Sequence, residues 1–146
     1  SSYVGCTVCD EWLNFQTFAD WYEKHKYYIV NERVEIDKDI LIPNNKVYSP
    51  ETCMIVPQSI NLLFSRHNAK DDRELPTGIC KQKSGKYSVC FTYKGVNNRF
   101  GKINTLEEAV KIYNECKEKY IRIAAEDYKQ YISQQLYDVL SNYKIQ

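Results

Sequence analysis

The sequence predicts an α+β protein. A small ββα unit comes first, followed by a three-stranded antiparallel sheet packed on a long helix, with a short helix at the C-terminal end. Three observations carry this reading. Between Lys86 and Lys94, Tyr87, Val89, Phe91 and Tyr93 alternate with Ser88, Cys90 and Thr92, the period of a half-buried strand. Thr105 and Glu108 form a capping box ahead of an apolar stripe through Ala109, Val110, Tyr113, Cys116, Tyr120 and Ala124. Two β-prone runs, NERVEID at 31–37 and TCMIV at 52–56, precede a short helical pattern.

In chain order, Val4–Cys9 alternates loosely and reads as a short strand or extended entry. Trp12, Phe15, Phe18, Ala19 and Tyr22 fall at helical spacing, and Asn14 can accept from the free amides of a first turn, so a helix is expected over residues 14–25. In NERVEID, Val34 and Ile36 share one face and charges the other. Residues 39–49 read as loop, with Pro43-Asn44-Asn45 as a turn signal. Pro57 suits a first helical position because its φ is already helical, and Ile60, Leu63 and Phe64 then share a face to about Ser65. The polar, proline-ended stretch 68–76 is the expected linker, dividing the chain into units 1–68 and 76–146. Ser84-Gly85 and Lys94-Gly95 supply the hairpin turns of the second unit. Ser133 is placed to cap a last helix containing Leu136, Val139 and Leu140.

The chain of 146 residues is 43% apolar and 14% aromatic, which excludes a disordered polypeptide. No apolar run is long enough to span a membrane. The start is neither basic nor long enough for a signal peptide, and the absence of an initial Met predicts a processed or truncated chain. Six scattered cysteines read as reduced thiols in a cytoplasmic protein. Cys6 and Cys9 have metal-ligand spacing, but no second pair accompanies them, so buried or strand cysteines are expected rather than zinc. The net charge of +1 conceals a polar distribution of charge. Residues 1–63 carry five basic and nine acidic side chains, whereas residues 76–105 carry six basic ones and no acid. A one-sided basic sheet points to nucleic acid.

The pattern from Gly78-Ile79 through Ser84-Gly85-Lys86-Tyr87, Val89 and Phe91 to Arg99-Phe100-Gly101 and Thr105, with Tyr113 on the helix, resembles the ethylene-response-factor (APETALA-type) DNA-binding domain of phage and bacterial proteins. The resemblance covers Thr77 to about Tyr120, and it implies three strands lying in the major groove of double-stranded DNA. It places Tyr87, Val89 and Phe91 against the helix, Gly101 at a turn and Thr105 at the helix cap. Cys80, Gln82, Ser88, Cys90, Thr92, Asn97 and Arg99 match positions facing DNA. Lys81, Lys83, Lys86, Lys94 and Lys102 would meet phosphates. Family members from plants fill this face with Arg and Trp. Here Arg99 alone suits bidentate reading of guanine, so weakly specific, salt-sensitive binding is expected.

The segment VEIDKDIL through NNKVYSPETCMIVPQSIN is similar to the HNH motif of phage homing endonucleases, with Asp37-Lys38-Asp39 and Tyr48-Ser49-Pro50-Glu51-Thr52-Cys53 as its two parts and Gln58 and Asn61 on the helix. If active, the resemblance implies Asp37, Lys38 and Asn61 as catalytic residues and a Mg²⁺ ion held by Asp37, Asp39 and Asn61. Lys38 stands where the general-base His belongs, and Thr52 where the central Asn belongs. A lysine is a poor base at neutral pH unless burial lowers its pKa by several units. The expected function is therefore DNA binding by a phage-type protein in the host cytoplasm, needing no cofactor and with cleavage lost. A working Mg²⁺-dependent nuclease and an effector that binds a host protein with the same scaffold are the alternatives.

Overall fold

The computed structural model describes residues 4–65 and 75–145. The fold is α+β, with four α-helices and sheets of two, two and three strands among these residues. No helix among them is long and apolar enough to cross a membrane. The residues expected to form the linker lie outside this description, apart from Leu75 and Pro76.

Strand β1 (Thr7–Val8) leads through a 3-10 turn, Asp10–Leu13, into helix α1 (Phe15–His25). Asn14 caps α1 as expected, its side-chain oxygen accepting from the amides of Gln16 at 2.9 Å and Thr17 at 3.4 Å. No residue of α1 is fully buried. The helix leans on Trp12, whose ring meets Phe18 edge-on at 5.2 Å and Trp21 at 4.7 Å.

Strands β2 (Val34–Asp37) and β4 (Met54–Pro57) pair antiparallel, Val34 opposite Pro57 and Asp37 opposite Met54, and α2 (Gln58–Phe64) follows at once. The expected ββα order is present, with three local differences. Asn31 takes a left-handed φ of 60° in the tight turn that bridges Ile29 and Glu32, so β2 begins only at Val34. Pro57 closes β4 with an extended ψ of 142° and caps α2 instead of entering it. The expected loop 39–49 contains β3 (Val47–Tyr48), which pairs in parallel with β1. Such a short strand exists only because a distant segment supplies its partner.

Strands β5 (Ile79–Lys81), β6 (Tyr87–Tyr93) and β7 (Val96–Ile103) form the antiparallel sheet in that order. Lys94 and Gly95 both have positive φ, 48° and 77°, the mirror-image turn whose twist matches the strands it joins. Helix α3 (Leu106–Tyr128) covers one face, with Thr105 Oγ accepting from the Glu108 amide at 3.2 Å. Phe91 stacks on Tyr120 at 5.3 Å and meets Tyr113 edge-on at 5.6 Å. Val89, Phe91 and Tyr93 are buried, each stabilising the fold by roughly 1.5–3 kcal/mol. Gly78 is required where Tyr113 crosses the sheet. Its φ is +79°, and a Cβ there would stand 2.8 Å from the Cys90 carbonyl oxygen as well as against the Tyr113 ring. Ser133 caps α4 (Gln134–Ser141), which returns along α3.

The two segments either side of residues 66–74 meet in one core. Ile40, Val56 and Ile60 from the first belong to the same buried cluster as Phe91, Ile121 and Leu136 from the second. A smaller cluster of Ile79, Val89, Ile103 and Ala109 lies under the sheet.

Candidate nucleic-acid interface

The face of the sheet turned away from α3 is set by strand parity. Register pairs Cys80 with Ser88, Cys90 with Arg99, and Thr92 with Asn97, so these side chains share the outer face. Cys80, Thr92, Asn97 and Arg99 are exposed and Cys90 is partly so. Ser88 is the exception, only 6% exposed. It stands alone opposite two residues of β7, Gly101 and Lys102, between the pairs Tyr87–Ile103 and Val89–Phe100. This bulge gives Lys102 a φ of 62° and leaves it exposed. A burial this complete removes Ser88 from the set able to touch a ligand.

The lysines divide. Lys81 ends β5 opposite Tyr87, Lys83 and Lys86 lie in the turn closed by the Gln82 amide donating to Lys86 O at 2.7 Å, and Lys102 lies in the bulge across from the same end. All four are exposed and none forms an ion pair among the described residues. Gln82 is exposed beside them, its amide nitrogen 3.8 Å from where a Cβ on Gly101 would stand. The outer face is therefore graded along the strands: lysines at the β5–β6 turn, Arg99 in the middle, and the Thr92–Asn97 pair toward the other end.

Lys94, at that other end, is turned elsewhere. Its ammonium lies 3.4 Å from Asp127 Oδ2 and 4.3 Å from the centroid of the Tyr128 ring. Burial pushes its pKa down, but Tyr128 and Asp127 outweigh this and hold it above the usual lysine range. The same junction ties the first segment in. Glu32 accepts from the Tyr128 hydroxyl and, at 2.8 Å, from the Ser59 amide. Burial pushes the Glu32 carboxyl up, but those donors outweigh it and bring it below the ordinary carboxylate range. Tyr93 donates to Asp127 at 2.9 Å, and burial with that acid beside it raises its phenol well above normal. Lys94 thus joins the hairpin to the body, and sequence reasoning missed its partners because they lie some thirty residues away in α3, with no local signal.

The residues expected to carry hydrolysis are placed differently. The Asp37 carboxylate accepts from the amides of Asp39 at 2.8 Å and Ile40 at 2.7 Å, closing the turn after β2. Burial raises its pKa, opposed by those two amides. Lys38 is 6% exposed, its ammonium 2.7 and 2.8 Å from the two Asp39 carboxylate oxygens and 5.6 Å from the Tyr48 ring centroid. Burial acts to lower the Lys38 pKa, but Asp39 outweighs burial and the net direction is upward. This is the opposite of what a lysine general base needs. Asn61 donates to Glu35, with Gln58 on the other Glu35 oxygen at 3.2 Å. Asp37, Asp39 and Asn61 are each engaged by a different partner, and no group of three or more His, Cys, Asp or Glu residues suited to a metal exists among the described residues. Of the chain's two histidines, His25 stacks on Trp21 at 4.8 Å and His67 lies outside the described residues.

No protein-family model, curated protein or solved structure matches the chain.

Proposed function

We propose that the protein docks on double-stranded DNA through the outer face of β5–β7, as a phage-type relative of HNH homing endonucleases whose first segment serves as a scaffold without cleaving. The observation that carries this is the group of four exposed lysines, Lys81, Lys83, Lys86 and Lys102, without an acidic partner at one end of a sheet whose centre presents Arg99. Lysines there supply phosphate contacts, and Arg99 alone has the fork that reads a guanine edge. The ammonium of Lys38, held charged by Asp39, supports a first segment without a general base.

The test is a gel shift on a duplex against salt. Binding is expected near ~50 mM salt, with log affinity falling against log salt at a slope of about −4 to −5, for five cationic contacts at ~0.9 each. Discrimination between sequences is expected to be small, since one bidentate contact is worth ~1–3 kcal/mol. Absence of any duplex binding at ~50 mM salt, or metal-dependent nicking of a plasmid abolished by Asp37→Ala, overturns the proposal.

A further inference from the structure

Strand β7 is an edge of its sheet, with no strand beyond it among the described residues. The Cys90 amide donates to the Gly78 carbonyl at 2.7 Å, so the backbone polar groups of Cys90 point toward β5 and away from β7. Opposite Cys90 on β7 stands Arg99, whose N–H and C=O therefore point away from β6, over the free edge. Asn97, two residues back, repeats that orientation, whereas Asn98 between them turns its groups toward Phe91. Two apolar side chains flank this open stretch. Val96 is 63% and Phe100 41% exposed, although both lie on the α3 side of the sheet, opposite the buried Tyr93 and Val89. The devices that commonly protect an edge are confined to its far end, where the bulge and Lys102 interrupt the strand.

We infer that residues 96–100 of β7 pair antiparallel with the same residues of a second copy of this chain, about a two-fold axis at Asn98. A second copy fits because the stretch is complementary to itself in one register. Asn97 then stands opposite Arg99 of the second copy, and these are the residues whose N–H and C=O face outward, so each such pair exchanges both hydrogen bonds. Val96 meets Phe100 of the second copy, and both exposed apolar side chains are covered. An axis at Arg99 would instead set two guanidiniums opposite each other, which is destabilising. An axis at Asn97 would run the pairing into the turn at Gly95. Past the paired residues, Lys102 falls toward Lys94 of the second copy, whose ammonium is engaged by Asp127. So short a seam buries less than the ~1,200–2,000 Å² of a standard interface, and the dimer is transient, forming at high concentration. Edge pairing leaves the outer face of both sheets uncovered and is independent of DNA docking.

The experiment is sedimentation of the full chain, without nucleic acid, over concentrations reaching the millimolar range. A reversible monomer–dimer equilibrium is expected. Asn97→Pro removes one outward N–H from each copy, and with them two hydrogen bonds across the seam, so the dissociation constant should rise at least ~10-fold. That N–H faces solvent in the single chain, where an edge strand tolerates proline, so thermal unfolding should change little. The register is read by cross-linking under mild oxidation, with the link assigned by mass spectrometry. Asn98→Cys is expected to link to its own counterpart, since a non-hydrogen-bonded pair brings the Cα atoms to ~4.5 Å, within disulfide range. Val96→Cys should not link to itself, because the two copies of that residue stand four residues apart along the strands, ~13 Å. A chain that stays monomeric at every concentration overturns the inference. So does a dimer indifferent to Asn97→Pro, or one linked through Cys at position 96 and not at 98, which would place the contact elsewhere or in another register.

Discussion

Lysine serves opposite purposes in two regions of this molecule. At the β5–β6 turn, Lys81, Lys83 and Lys86 stand in solvent with no ion pair among the described residues, and Lys102 joins them from the bulge. In the turn after β2, Lys38 is buried and both Asp39 oxygens are within hydrogen-bond reach of its ammonium. The first group carries charge available to a partner, and the second spends its charge internally. Availability, rather than the number of basic residues, separates an interface from a structural ion pair. Lys94 makes the point within the basic segment itself. It shares the sequence neighbourhood of the exposed lysines, yet it lies with Asp127 and Tyr128.

The strongest way to break this contrast is to neutralise the exposed group. Replacing Lys81, Lys83, Lys86 and Lys102 together by Gln is expected to reduce the salt slope of duplex binding by about 3 to 4, because each lost phosphate contact removes ~0.9. Thermal stability should stay nearly unchanged, as exposed substitutions usually fall within ~0.5 kcal/mol. An unchanged slope would place the interface elsewhere.

Lys38→Ala should do the reverse. Removing a buried ammonium from its carboxylate partner is expected to lower stability by roughly 1–3 kcal/mol in urea denaturation, while duplex binding is kept. A folded Lys38→Ala protein with reduced duplex affinity would show that the two regions are not separate in purpose.

The junction sharpens the comparison through pH. The folded-state pKa of Glu32 lies below its ordinary value of 4.5. Its ionised form therefore favours folding above that value, and the contribution is lost as pH falls through the lower folded-state pKa. Denaturation midpoints of Glu32→Gln should accordingly lie below those of the parent near neutrality and converge on them in acid. A gap of constant size across that range would assign Glu32 a role independent of its charge. Asp37 has the opposite sign, its raised pKa favouring the protonated folded state as the medium becomes acidic, so the comparison must be made between the two proteins at each pH.

The smallest effect is expected at Lys94. Its side chain is 41% exposed, so Lys94→Gln should cost at most about 1 kcal/mol, within the range of partly exposed ion pairs. The salt slope of duplex binding should not move. A slope reduced by ~0.9 would return Lys94 to the interface.

Much of the fold was legible because the controlling signals are local. Alternation in β6 and the caps at Asn14, Thr105 and Ser133 need only neighbouring residues, and each cap is made by the expected side chain. The turn at Lys94-Gly95 is equally local, since positive φ at two successive positions limits the residues that fit. The parallel pairing of β1 with β3 was not legible, because two residues per strand carry no periodicity. The face of the sheet was assigned correctly for Thr92, Asn97 and Arg99, but Ser88 was missed. Strand parity puts it outward, while the bulge opposite it and its burial are properties of the assembled sheet.

The sequence by itself determined the alternation of β6, the helix caps at Asn14, Thr105 and Ser133, and that positive charge gathers between Pro76 and Thr105. These depend on covalent neighbours, whose spacing the chain sets directly. Only the tertiary structure decided which charges remain available. Lys38 and Lys94 have the same side chain as Lys86, but Lys38 is buried with Asp39 beside it and the Tyr48 ring over it, and Lys94, though partly exposed, meets Asp127 and Tyr128 once α3 closes on the hairpin. An ion pair requires two groups within a few ångströms in space, and for Lys94 and Asp127 that distance is unrelated to their separation along the chain.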